Sequence, residues 1–126
     1  MQDLTDRFVA ALHRLHTERD ADGLVALFSE GATLSKLGQQ HEAHGPDGAR
    51  HFWDDYRRVF DSIEATFTHT IVGDGSVALE WTSTGSLSGG HPFSYDGISV
   101  LESKGELIDG FRTYYDSAAF TRESRA

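Results

Sequence analysis

The sequence contains no cysteine, and only two of its 126 residues are proline. Without cysteine the chain can form no disulfide framework, thiol nucleophile or cysteine-based zinc site. Its apolar runs fall well short of the roughly 20 residues that a membrane-spanning helix needs. The N-terminal segment, MQDLTDRFVAALHRLH, has early acidic residues and no apolar core, which argues against a signal peptide. We therefore expect a cytoplasmic protein.

Basic residues are also scarce. Eleven lysines and arginines stand against 20 aspartates and glutamates, which gives a formal net charge of −9. Nucleic acids and anionic membranes bind basic patches, and here the only basic pair is Arg57-Arg58, which we expect on the solvated face of a helix. We therefore predict neither nucleic acid nor membrane as a partner. The length fits a single domain, residues 1–126, with one core.

The N-terminal segment predicts an amphipathic helix of about four turns. Its apolar residues follow the i, i+4, i+7 spacing and cluster on one side: Leu4, Phe8, Ala11, Leu12 and Leu15. At about 100° per residue, His16 falls on the flank of this stripe, whereas His13 and Arg14 fall outside it. His16 is therefore the histidine of this helix that is expected to face inward.

Two further helices are predicted before the chain turns to strands. A short helix after Asp20 ends at Gly31. Its apolar face comprises Leu24, Leu27 and Phe28. Residues 32–35 then predict a short strand and residues 36–44 a loop. The third helix opens at residues 45–48, where proline is tolerated in the first turn. Its apolar face comprises Ala49, Phe52, Trp53, Tyr56, Val59 and Phe60.

The hydrophobic period changes from 3.6 to 2 after Ile63, which predicts strands. Turns divide this half of the chain into a four-stranded antiparallel meander, at residues 73–75, 88–90 and 103–105. Asp96-Gly97 is an alternative hairpin turn, but Gly89-Gly90 leaves strands of better matched length. Helices followed by long antiparallel strands predict an α+β domain in which the helices pack on one face of a curved sheet.

The other face of this sheet is expected to be apolar. Its predicted side chains are Val77, Leu79 and Trp81, with Phe93 and Tyr95 as open alternatives. That much exposed apolar surface is typical of an oligomer interface. We therefore predict a homodimer formed through the outer sheet face.

The stretch from His91 to Asp116 carries polar groups where a small domain would normally bury hydrocarbon. Asp96 lies in the middle of an apolar run, and in the next strand Thr113 and Tyr115 alternate with Phe111. A carboxylate on the inner face of a sheet is more typical of a cavity lining than of a core. These two strands therefore predict one wall of a cavity.

Three stretches, taken in order, resemble the nuclear transport factor 2-like superfamily. They are Asp20…Leu27-Phe28-Ser29-Glu30-Gly31-Ala32-Thr33-Leu34, His44-Gly45-Pro46-Asp47-Gly48-Ala49 and Gly105-Glu106-Leu107-Ile108…Arg112-Thr113-Tyr114-Tyr115-Asp116. The chain is most similar to the SnoaL-like branch, which groups polyketide cyclases, ketosteroid isomerase and limonene epoxide hydrolase relatives. The resemblance covers nearly the whole chain. It implies a cone-shaped curved antiparallel sheet closed by three N-terminal helices, a cystatin-like α+β barrel.

The resemblance also implies which residues face the interior of the cone. They are Leu12, His16, Phe28, Lys36, Phe52, Trp53, Glu80, Thr82, Asp96, Ile98, Phe111, Thr113 and Tyr115. Of the isomerase positions, the oxyanion-binding tyrosine is replaced by Leu12 and the base by Lys36, while the strand carboxyl is retained as Asp96. The charged positions of the epoxide hydrolases are replaced by Glu80, Thr82 and Thr113, so neither chemistry is expected in its known form.

Asp96 is the leading catalytic candidate on these grounds. Apolar walls would desolvate its charged form and raise its pKa, which suits a general acid or an oxyanion donor. The alternatives are a turn aspartate or a partner for Arg112 or Lys36. His16 is expected to assist as a proton shuttle near neutral pH, unless its ring is simply hydrogen-bonded to backbone.

The remaining polar candidates are Glu80 and Lys36. Glu80 either shares a proton with Asp96 or forms an ion pair with Lys36. Lys36 is expected to bind a substrate carboxylate or enolate. Five aromatic residues are either core or the walls of a site for a flat apolar ligand: Phe28, Phe52, Trp53, Phe111 and Tyr115.

Metal chemistry is not expected, because His41 and His44 lie in a loop and lack the helical spacing of zinc-ligating pairs. We predict no metal and no cofactor. The predicted function is acid–base catalysis on an apolar polyketide- or steroid-like carbonyl compound, by cyclisation, isomerisation or dehydration, as in an isomerase or lyase. The alternative is a non-catalytic ligand-binding or protein-association module of the same fold.

Overall fold

The computed structural model describes residues 1–38 and 41–118, in which three helices precede or interrupt a six-stranded sheet. The helices are α1 (Gln2–Glu18), α2 (Asp22–Val25) and α3 (Gly45–Arg58). The strands are β1 (Phe28–Lys36), β2 (Ala43–His44), β3 (Phe60–Val72), β4 (Ser76–Leu87), β5 (Pro92–Lys104) and β6 (Leu107–Tyr115). Their order in the sheet is β2-β1-β6-β5-β4-β3. None of the helices in the described ranges is long and apolar enough to cross a membrane.

The predicted α+β fold is confirmed, with α1 and α3 packed against one face of a curved sheet. Strands β3 to β6 form the predicted antiparallel meander. The Asp96-Gly97 alternative turn is excluded, because both residues pair inside β5. Two features differ from the prediction. Strand β1 runs parallel to β6, and the sheet ends at β2 and β3 without closing into a barrel.

The second helix is shorter than predicted. It ends at Val25, and Phe28 already belongs to β1 rather than to the helix. The carbonyl of Leu27 accepts a 2.7 Å hydrogen bond from the amide of Ile108, which starts the parallel pairing of β1 with β6. This partner lies some eighty positions along the chain, so no local pattern signals it. In the predicted loop, residues 43–44 form β2, and residues 39–40 lie outside the described residues.

The register of β4 and β5 decides which side chains face the helices. Trp81 pairs with Gly97 and Ser83 pairs with Tyr95, and both serine and tyrosine are buried. The residues predicted for the outer face are in fact on this inner face: Val77, Leu79, Trp81, Phe93 and Tyr95. The prediction was wrong because β5 has apolar residues on both of its faces. The alternation along this strand therefore does not show which face the helices cover.

A buried arginine joins the end of α1 to the end of α3. Arg57 is 6% exposed. Its guanidinium donates hydrogen bonds to the carbonyls of Leu15 (3.2 Å), His16 (3.2 Å), Phe60 (2.7 Å) and Asp61 (3.3 Å). Two of these carbonyls belong to the last turn of α1, where backbone acceptors lack a following helical turn. That of Leu15 also accepts from the amide of Arg19 at 3.1 Å. The prediction that the arginine pair lies on a solvated face is therefore wrong for Arg57.

Candidate functional site

A cavity of about 110 Å³ lies between the inner face of the sheet and helices α1 and α3. Its apolar walls are formed by Phe8, Leu12, Phe52, Trp53, Val59, Phe60, Ala65, Phe67, Trp81 and Phe111. Its polar lining residues are Lys36, Tyr56, Ser83, Tyr95, Ser99, Thr113 and Tyr115. No carboxylate of the described residues contributes to this lining. Mostly apolar walls with a few convergent polar groups are typical of a small-molecule site.

A histidine–tyrosine pair forms one polar side of the cavity. The Nε2 atom of His16, on α1, lies 2.6 Å from the hydroxyl oxygen of Tyr56, on α3. Burial, together with the smaller effects of the Arg57 and His13 charges, lowers the pKa of His16 to about 4. The imidazole is therefore neutral at neutral pH. When Nε2 carries the ring proton it donates to the Tyr56 oxygen, and the phenol proton is then directed elsewhere.

Two more tyrosines lie near this pair. Burial raises the pKa of Tyr95, and Tyr115 raises it further. The rings of these two tyrosines meet edge to face with centroids 5.7 Å apart. Burial and the neighbouring Tyr95 also raise the pKa of Tyr56 well above its usual value. All three phenols are therefore protonated at neutral pH, and the cavity is lined by neutral donors rather than by acids.

A chain of hydrogen bonds crosses the sheet at the other polar side. The indole Nε1 of Trp81 donates to the Ser99 hydroxyl at 2.9 Å, and the Ser99 and Thr113 hydroxyl oxygens are 2.9 Å apart. Trp81 reaches across β5 because Gly97 has no side chain there. A Cβ at Gly97 would lie only 2.4 Å from the indole ring. The glycine of the Asp-Gly dipeptide thus makes room for an aromatic ring and does not form a turn.

Lys36 is the last residue of β1 and pairs in register with Thr113 of β6. Its side chain is exposed at one end and borders the cavity. It forms no ion pair with any acidic residue of the described part of the chain. On the helical side, Trp53 is 3% exposed and its Nε1 has no hydrogen-bond partner among the described residues. Of the two groups, only the Lys36 ammonium is exposed to a ligand acceptor.

Seven of the thirteen residues predicted to face the interior do line the cavity. They are Leu12, Lys36, Phe52, Trp53, Phe111, Thr113 and Tyr115. Phe28 is instead a core residue, packed against Trp53 and Phe111 with ring centroids 6.4 and 6.3 Å away. His16 does not line the cavity itself but contacts it through Tyr56, and its ring borders a groove between α1 and β3.

The other four predicted residues lie on the outer face of the sheet, which corrects the position of the leading catalytic candidate. Asp96 is exposed and accepts a 2.7 Å hydrogen bond from the hydroxyl of Thr82, its partner across the strands. Glu80 pairs with Ile98, and its carboxylate lies 3.2 Å from Nδ1 of His69. Because successive residues of a strand point to opposite faces, choosing the wrong face displaced all four together.

The most informative residues that the sequence reasoning missed are Tyr56, Tyr95, Ser83 and Ser99. Tyr56 was assigned to the apolar face of the third helix, so its hydroxyl was overlooked. A usable signal existed in β5, where the small residues Gly97 and Ser99 lie between the bulky Tyr95 and Leu101 on one face. Small residues between bulky ones leave space on that face, and the Ser99 hydroxyl adds a polar group to it.

No group of three or more metal-ligating side chains occurs in residues 1–38 and 41–118.

Comparison of the sequence with family models gives a match to the SnoaL-like domain over residues 5–111. The chain belongs to the SnoaL-like domain family. No curated protein sequence is significantly similar to this SnoaL-like chain.

Solved structures confirm the fold of this SnoaL-like protein. An NTF2-like protein from Anabaena variabilis superposes with a TM-score of 0.84 at 14% identity, covering 94% of this chain and 90% of that one. A protein with a ketosteroid isomerase-like fold from Catenulispora acidiphila, in complex with trimethylamine, gives 0.81 at 19% identity over 94% and 92%. A candidate SnoaL-like polyketide cyclase from Jannaschia gives 0.76 at 16% identity over 94% and 91%.

Proposed function

We propose that this SnoaL-like protein binds a small, flat, apolar carbonyl compound and catalyses enolisation next to its carbonyl group. Enolisation is the step shared by aldol cyclisation, isomerisation and dehydration. The observation that carries the proposal is the Tyr56 hydroxyl, held by His16 at 2.6 Å on the wall of an aromatic cavity. The similarity to a candidate polyketide cyclase supports the same substrate class.

The proposed chemistry depends on a neutral donor, because no carboxylate of the described residues lines the cavity. Tyr56 donates its proton in a hydrogen bond to the substrate oxygen. As water takes a proton from the adjacent carbon and becomes hydronium, the C–H electron pair moves into the new C=C bond and the C=O π pair moves to the oxygen, which becomes negatively charged. The donor stabilises this charge within the mostly apolar cavity. The raised pKa of Tyr56 keeps the phenol protonated throughout.

Replacing Tyr56 with phenylalanine tests this role. The probe is 2-tetralone, a flat bicyclic ketone, and the measurement is the rate at which its α-hydrogens exchange for deuterium in D₂O, followed by NMR. The wild-type protein should accelerate exchange above buffer, and Tyr56→Phe should reduce the acceleration about 100-fold or more, as expected when one oxyanion donor is lost. The aromatic ring is retained, so binding of the probe should change little.

Asp96→Asn is the matched control for this experiment. Because Asp96 is exposed on the outer face and bonded to Thr82, the substitution should leave the exchange rate within about twofold of wild type. A large loss in the asparagine variant, or equal rates in the wild-type and Tyr56→Phe proteins, would contradict the proposal.

A second candidate function is non-catalytic ligand binding. The observation that favours it is the lack of a base: the described lining holds no carboxylate, and His16, with a pKa of about 4, is a weak proton acceptor. Binding of 2-tetralone without any acceleration of exchange would select this alternative. Binding is measured directly by fluorescence, because both tryptophans of the chain, Trp53 and Trp81, line the cavity.

The homodimer through the outer face of the sheet remains a prediction, but the residues on that face differ from those expected. The outer face of β4 and β5 is mixed rather than apolar, with half-buried Ile98 and Val100 between Asp96 and Glu102. If two copies pair through this face, Ile98→Glu should lower the molar mass measured by light scattering from that of a dimer to that of a monomer. Leu37 is exposed and directly follows the last residue of β1. Leu37→Glu should therefore leave the mass unchanged.

A further inference from the structure

The described cavity lining contains a single charged side chain, Lys36. No acidic residue within the described ranges lies within ion-pair distance of it. Lys36 is exposed, so its ammonium group is a solvated positive charge at the border of an apolar cavity.

A pair of hydroxyl groups lies beside Lys36. An indole N–H can only donate, so Trp81 makes the Ser99 oxygen an acceptor. The Ser99 and Thr113 hydroxyl oxygens are 2.9 Å apart, and either can donate to the other. When Ser99 donates, the proton of Thr113 faces the carbonyl of Ile98 at 3.5 Å, a long and weak contact. In that arrangement Thr113 can donate to a ligand.

Thr113 lies next to the lysine in the sheet. Lys36 and Thr113 are register partners on neighbouring parallel strands, so their side chains emerge on the same face of the sheet. An ammonium group and a hydroxyl donor from neighbouring strands, both bordering the cavity, can bind the two oxygens of a carboxylate.

We propose that Lys36 and Thr113 form an anion subsite and that the ligand of this protein is a small aromatic compound bearing a carboxylate. The ring system lies against Phe52, Trp53 and Phe111, and the carboxylate binds at the β1–β6 end of the cavity. This proposal rests on the proposed function only in taking the cavity as the ligand site. It does not require catalysis.

Matched probes of equal shape test the subsite. Calorimetric titration of the full-length protein with 2-naphthoate and with the neutral 2-naphthamide, at pH 7.5, gives two dissociation constants, and quenching of Trp53 and Trp81 reports binding in the cavity. The wild type should bind the naphthoate about tenfold or more tightly than the amide, as expected for a charge-assisted hydrogen bond. The preference should weaken as salt concentration rises.

The chain contains two lysines, and the second provides the control. Lys36→Met should weaken naphthoate binding about tenfold and leave naphthamide binding unchanged, which abolishes the preference. Lys104→Met, at the exposed end of β5, should leave both constants unchanged. Thr113→Val, which keeps the side-chain shape, should reduce the preference by a smaller factor, about threefold.

Three outcomes overturn the proposal: no binding of either probe, equal affinity of the wild type for both, or equal effects of the two lysine substitutions. The result is independent of the exchange experiment, because 2-tetralone carries no charge. If exchange is equally fast in the wild-type and Tyr56→Phe proteins while the naphthoate preference is retained, the catalytic function is rejected and the anion subsite is kept. The reverse pair of results would do the opposite.

Discussion

Replacing Arg57 with methionine should lower the free energy of unfolding by about 3–5 kcal/mol. Methionine keeps the apolar stem of the side chain but removes every hydrogen bond that the guanidinium donates. The carbonyls of Leu15, His16 and Phe60 would then be left without this donor beneath the protein surface. A buried acceptor without a partner costs about 1–3 kcal/mol, and partial entry of water limits the total.

The measurement is the urea midpoint together with the slope of the unfolding transition, so that a change in stability is separated from a change in cooperativity. Arg58→Met is the matched control. Arg58 is exposed, and its ion pair with Asp55 at 2.9 Å lies on the surface, so its loss should cost at most about 0.5 kcal/mol. Equal losses in the two variants would show that Arg57 does not hold α1 to α3.

The contrast between these two arginines shows where sequence reasoning reached its limit. They are adjacent in α3 and were predicted as a pair on the solvated side, although Arg57 continues the i, i+4 row of Ala49 and Trp53. What makes the burial of its charge possible is the end of α1, some forty residues earlier in the chain, whose last carbonyls accept its hydrogen bonds. The spacing within α3 could have indicated the position of Arg57, but its partners belong to a different element.

The fold itself was predictable for the opposite reason. The stripe in α1, the change of period after Ile63 and the glycine-rich turns are local features, and each agrees with the others. The four-stranded meander follows from them directly. Strand β1 was underestimated because it pairs in parallel with β6, which follows it by about eighty residues, and parallel pairing leaves no hairpin signal.

The candidate site was half predictable, and the division follows the physics of strands. Residues on helices and on β6 were placed correctly, since the stripe of α3 and the Phe111–Thr113 alternation each have one clearly apolar side. On β5, both sides of the strand contain apolar residues, so the face carrying Asp96 could not be told from the face carrying Tyr95. A single wrong choice moved the proposed chemistry from a phenol to a carboxylate.

The buried histidine leads to the second large effect, a loss of stability in mild acid. In the folded protein the pKa of His16 is about 4, against 6.5 for an unperturbed histidine. Between these values the unfolded chain binds a proton that the folded chain does not, so the free energy of unfolding falls as the pH falls. The contribution of His16 is fully present above pH 6.5, and its loss by pH 4 amounts to at most about 3 kcal/mol.

His16→Gln isolates this contribution, because glutamine can still bond to Tyr56 but does not titrate. Unfolding by urea at pH 7, 6, 5 and 4 should show a loss of stability that is smaller in this variant than in wild type, by up to about 3 kcal/mol over the range. His51→Gln is the matched control: His51 is exposed on α3, is not among the charges that act on His16, and its replacement should leave the wild-type pH dependence unchanged. Acid protonation of surface carboxylates occurs in all three proteins and cancels in the comparison.

Parallel pH profiles for the wild-type and His16→Gln proteins would contradict the prediction. They would mean that the imidazole takes up its proton in the folded state. The hydrogen bond to Tyr56 would then come from a cationic ring and not from a neutral one.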